Sequence, residues 1–230
     1  MQSDFQITGQ ATQELSLQQN KVLRNTYLLL ALSMIPTVIG ALVGVRLGFS
    51  LFAGSPFISF LVFMGVAFAF MWGIERTKNS AMGVVLLLGF TFFMGLMLSG
   101  ILRMALGFSN GASLIATAAG GTGAIFFTLA TVATVTKKDF SFLGKFLFIG
   151  VVVVLLAALA NIFFQIPALS LTISAVTVLI FSAYILYDIS RIVNGGETNY
   201  ISATLAVYLD VYNVFVSLLN LLMAFSGDRD

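Results

Sequence analysis

Two acidic residues stand where acids are expensive. Asp210 falls in the middle of AVYLDVYNVFVSLL (206–219), and Asp188 sits in YILYDISRI (184–192). An aspartate at the centre of a membrane helix costs ~2.5–3.5 kcal/mol on insertion scales. Two carboxylates brought within a few ångströms, away from water, do not easily both ionise. They hold a proton between them and titrate as a unit. That chemistry suits a pH sensor, a proton relay or an aspartic protease. When both are ionised, the same oxygens are hard ligands for a cation such as calcium, so Asp188 and Asp210 are the candidate sensor and cation residues.

Each aspartate belongs to a polar stripe. Asp210, Asn213, Ser217 and Asn220 are spaced 3, 4 and 3, which puts them on one helix face. Ser170, Ser174, Thr177, Tyr184 and Asp188 form a second stripe, interrupted by Phe181. Polar stripes in a membrane face protein or water rather than lipid, so Asn213, Ser217 and Asn220 are candidate path-lining residues. The two aspartates differ in depth by ~9 Å on a helical residue count, a gap that tilt or an extended seventh helix would close.

The elements carrying these stripes follow from composition. Hydrophobic residues make up 59% of the 230, and charged residues only 9%, against ~25% charged in a soluble domain. So few charges cannot cover a water-facing surface, and the chain reads as an integral membrane protein. With no His and no Cys, it has no disulfide, no His- or thiolate-bound zinc, no His-ligated haem and no Ser-His-Asp triad. No cofactor is implied, and a net charge of +2 gives no reason to expect nucleic acid.

Charges divide the chain into apolar runs, each long enough for a ~30 Å hydrocarbon core. The run 146–187 is long enough for two crossings, broken at FFQIPALS, where Pro167 suits a helix start. Seven spans result: 25–45, 56–74, 80–102, 112–135, 142–164, 167–191 and 200–225. The expected fold is an all-α membrane protein, a seven-transmembrane-helix bundle over residues 25–226. Lys21, Arg24, Arg76, Lys78, Lys137, Lys138, Lys145 and Arg191 fall on one side, and Arg46, Arg103 and Arg229 on the other. This bias predicts a cytoplasmic N-terminus and an outside C-terminus. Residues 1–24 read as a flexible cytoplasmic tail, its first 20 holding six Gln and no cation.

Plainer readings compete at several positions. Arg191, one turn from Asp188, could simply pair with it. Arg76 in ERTK could be a stop-transfer charge, or could reach the aspartates. In ATAAGGTGA, Ala116, Gly120 and Ala124 have the small-xxx-small spacing that lets helices approach closely. Asn161 could line a cavity or bond a neighbouring backbone.

KKDFSFLGKFL, YILYDISRI and YLDVYNVFVSLLNLL together resemble the Bax inhibitor-1 (transmembrane Bax inhibitor motif) family. KVLRNTYLLL, GGETNYISAT and the glycine-rich fourth helix narrow the resemblance to its bacterial YccA-like branch. It covers nearly everything from Lys21 onward.

The resemblance implies a bundle with the last helix surrounded by the other six and a di-aspartyl pH sensor at Asp188 and Asp210. It implies a pH-sensitive calcium leak in the bacterial inner membrane, in which an arginine near the end of helix two, here Arg76, latches one aspartate. For the YccA-like branch it also implies a poor substrate that modulates the membrane protease FtsH through its tail, residues 1–20.

Two other classes of protein share parts of this pattern. One is a purely FtsH-interacting regulator that conducts nothing. The other is an intramembrane aspartic protease, which would need Gly-x-Gly before its second aspartate. Val207, Tyr208 and Leu209 stand there instead, so a non-enzymatic protein is expected.

Overall fold

The computed structural model describes residues 2–49 and 56–227, with residues 2–16 by backbone only. Seven helices run α1 Gln2–Arg46, α2 Pro56–Thr77, α3 Ala81–Leu106, α4 Gly111–Thr136, α5 Leu143–Phe164, α6 Pro167–Val193 and α7 Tyr200–Phe225. All seven are long and apolar enough to cross a membrane, and none of the described residues is in a strand. The expected spans match to within a few residues except at the start. The first apolar span begins at Leu17, and α1 continues back to Gln2 through the segment expected to be a flexible tail. Arg229 lies outside the described residues.

Local chemistry sets the helix ends. Pro167 opens α6 at its first turn, where a missing N–H costs nothing. Lys137 and Gln165 close α4 and α5 in the left-handed conformation, each at φ 51. Asn161 does both of the things expected of it, lining a cavity and accepting a hydrogen bond from Ile166 N at 2.9 Å.

The tightest seam joins α1 to α3. A Cβ at Gly40 would meet the Phe92 carbonyl oxygen, one at Gly95 the Thr37 carbonyl oxygen, and one at Gly44 the Ser99 side chain. Gly40 and Gly44 are a G-x-x-x-G pair. The small residues expected to mediate close packing on α4 do otherwise, since Gly120 has open space where its side chain would be.

α7 packs against α1, α2, α3, α4 and α6, while α5 packs chiefly on α6 and leaves much of its surface to lipid. Tyr208, fully buried, bonds Thr37 Oγ1 at 2.9 Å, and the Tyr212 hydroxyl donates to the Met94 carbonyl at 3.3 Å. At the end of the bundle carrying most Lys and Arg, hereafter the basic end, Asn199 caps α7. Its Oδ1 accepts from Ile201 N and Ser202 N, and its amide donates to the Lys78 carbonyl and to Asn79 Oδ1. Asn199→Ala should lower stability by about 1–2 kcal/mol, read from thermal unfolding in detergent, since it removes a cap and a link between helices.

Candidate functional site

Asp210 is buried at 4% exposure, one turn along α7 from Asn213. Asp188 lies on α6 with 12% of its side chain exposed. Their carboxyl groups are within hydrogen-bonding reach of each other. Residues 194–199 do not extend away from the bundle. Gly195 adopts φ +78, and the N–H groups of Gly196 and Glu197 return to the Arg191 carbonyl at 2.7 and 3.2 Å. The chain turns back on the end of α6 before α7 begins.

Asp210 Oδ2 is buried with no hydrogen-bond partner. An ionised oxygen left so would be costly, whereas a carboxyl pair sharing a proton satisfies itself. Arg191 Nη1 stands 3.9 Å from Asp188 Oδ1, too far for a hydrogen bond. The same guanidinium donates to the Gly196 carbonyl at 3.2 Å, lies 4.0 Å from Glu197 and sits over the Tyr187 ring. It is shared among several partners rather than committed to Asp188. Arg76 lies over the exposed Trp72 ring, 5.3 Å from its centroid.

The two polar stripes meet. A cavity of about 450 Å³ between α5, α6 and α7 is lined by Ser170, Ser174 and Thr177 from α6, by Asn213, Ser217 and Asn220 from α7, and by Asn161 from α5. Asn213 donates to the Leu209 carbonyl at 2.8 Å, and Ser174 to the Ser170 carbonyl at 3.0 Å. Phe181, which broke the α6 stripe, lines the cavity too. It lies on α6 between the cavity's hydroxyls and Asp188, stacked toward Tyr184 with centroids 5.8 Å apart. The cavity's hydroxyls and amides thus run along α6 and α7 as far as Thr177 and Asn213, with Asp210 one turn beyond Asn213 on α7 and Asp188 two turns beyond Phe181 on α6.

Sequence reasoning missed two features. Glu197 competes with Asp188 for Arg191, and its only signal was an acid in the loop after an arginine. The turn at 137–142 is fastened directly behind the pair. Ser190 Oγ accepts from Phe140 N at 3.0 Å and donates to the Lys138 carbonyl at 2.9 Å. Within that turn, hydrogen bonds from Ser141, its side chain first and its backbone N–H second, hold the Asp139 carboxyl below its usual range.

The family model described as "Inhibitor of apoptosis-promoting Bax1" matches residues 19–227. The chain belongs to that family, known as Bax inhibitor-1. The chain is 43% identical over 212 residues to the Escherichia coli K12 protein named "Modulator of FtsH protease YccA", covering 92% of this chain and 94% of that one. The same values hold for "Inner membrane protein YccA" of E. coli O6:H1. An "Uncharacterized membrane protein" of Vibrio cholerae is 40% identical over 215 residues, with 94% of each chain covered.

Proposed function

We propose that this protein is a pH-sensitive cation leak of the bacterial inner membrane, its N-terminus cytoplasmic, with Asp188 and Asp210 as the sensor and calcium as the ion. The observation that carries the reading is the carboxyl pair itself. Two buried acids from neighbouring helices lie within hydrogen-bonding reach, beyond a cavity lined by hydroxyls and amides. Loss of the shared proton sets two like charges against each other in a poorly solvated site. The repulsion falls directly between α6 and α7, the helices whose polar faces line the path. Positioned oxygens of this kind are what calcium requires. The test is calcium flux into dye-loaded proteoliposomes across a pH series; a flux no greater than that of protein-free vesicles at every pH would end the proposal.

A second activity is favoured by the relationship to YccA. We infer that the chain also modulates FtsH, with residues 1–20 as the segment the protease engages. These residues are polar, lack cations and precede the first apolar span at Leu17 almost entirely. Deleting residues 2–20 should change both the chain's own turnover and the degradation of other FtsH substrates in cells. Unaltered half-lives for both would leave the bundle as the sole functional part.

A further inference from the structure

A second cavity, larger than the polar one, lies away from the carboxyl pair, on the opposite side of α7. It is a cleft of about 810 Å³ between α1 and α4, floored by Tyr208, Val211, Tyr212 and Phe215 of α7. The flanking helices do not pack extensively on each other; the Tyr27 ring meets Phe126 edge-on across the gap, with centroids 6.0 Å apart. The mouth is flanked by exposed Val38, Leu42 and Phe127, so it opens to lipid.

We propose that this cleft holds an acyl chain of one anionic glycerophospholipid, whose headgroup is bound at the basic end by Arg24, Lys137 and Lys138.

Three observations identify the occupant. The first is that the polar groups of the cleft are engaged within the protein, apart from the Tyr27 hydroxyl toward its basic end. The hydroxyls of Thr122, Thr131 and Thr134 donate to carbonyls of their own helix, and those of Tyr208 and Tyr212 are engaged with α1 and α3. What remains is hydrocarbon, the lining a fatty acyl chain fits and a hydrated or ionic ligand does not.

The second is size. Along α1 the lining runs from Tyr27 to Leu42, about 22 Å of helix, enough for the ~15 Å depth of one leaflet.

The third is charge. On α1 the lining positions Tyr27, Ala31 and Met34 continue one turn back to Arg24, and Lys137 and Lys138 follow directly on the end of α4, just past the lining position Thr134. All three cations are exposed, and none has an ion pair with a described residue. Lys138 is held in place, since its carbonyl accepts from Ser190 and Asn194. Basic residues from both walls therefore stand at the same end of an apolar slot, the arrangement that suits an anionic headgroup with its chain inside.

Native mass spectrometry of the protein, released from mild detergent with equal phosphatidylglycerol and phosphatidylethanolamine, tests this. One retained lipid is expected, with phosphatidylglycerol favoured on the order of fivefold or more. The Arg24→Gln/Lys137→Gln/Lys138→Gln variant should still retain a lipid, with the preference reduced to about one. Gly123→Phe, whose Cβ enters open space, should fill the slot and lose the lipid while its melting temperature is kept. Equal retention of both lipids by the wild type, or undiminished retention by Gly123→Phe, would overturn the assignment. So would cross-linking of Gly123→Cys, as the sole cysteine, to another polypeptide.

Discussion

Vesicles containing the Asp210→Asn protein are expected to leak calcium at a rate that no longer changes with pH. The amide keeps the size of the carboxyl and can still bond Asp188, but it cannot exchange a proton with it. What remains is one acid, 12% exposed and 3.9 Å from Arg191, with no like charge to repel. A gate biased by only ~1.4 kcal/mol changes an open population about tenfold, so the wild-type response should be of that order or larger and the variant's ratio close to one. Arg76→Gln, removing a guanidinium that lies over Trp72, should leave the response intact. Arg191→Gln should shift it, because that side chain is the cation beside Asp188. A pH response preserved in Asp210→Asn would dissociate the pair from gating altogether.

The other large effect is expected at Gly95. Gly95→Leu should prevent α1 from seating on α3, with a loss of about 3 kcal/mol or more and failure to recover a monodisperse protein. The reason is rigid backbone: a side chain's first atom would overlap the Thr37 carbonyl oxygen and stand 3.0 Å from Ala41 N. Gly120→Ala is the contrasting substitution. Its Cβ meets nothing within 4 Å, and the gain in helix propensity should hold or raise stability by up to ~1 kcal/mol. Thermal unfolding of both variants in one detergent gives the comparison.

The contrast between these glycines shows what a sequence makes legible. Seven spans could be read because apolar length and interrupting charges are local properties. The α6 and α7 stripes could be read because helical periodicity puts Asp210, Asn213, Ser217 and Asn220 on one face whatever lies opposite. Which small residues touch a neighbour is a property of two helices together. The G-x-x-x-G of Gly40 and Gly44 and the run on α4 carry the same signal, and only the first lies in a seam. A residue count gives the depth of each aspartate along its own helix but not how α6 and α7 are set against each other, so the meeting of Asp188 with Asp210 could not be read from spacing alone. Arg191 could be pictured with Asp188 alone only while Glu197 was assigned no place.

The continuous α1 has a mechanical corollary. From Gln2 to Arg46 it is a single helix, fastened lengthwise to α3 at Gly40, Gly44 and Gly95. Traction on its leading end would act along that seam rather than across it, loading successive contacts in shear, all together instead of one after another. A motor gripping the chain there would meet its greatest resistance at the outset, before any later helix had been disturbed.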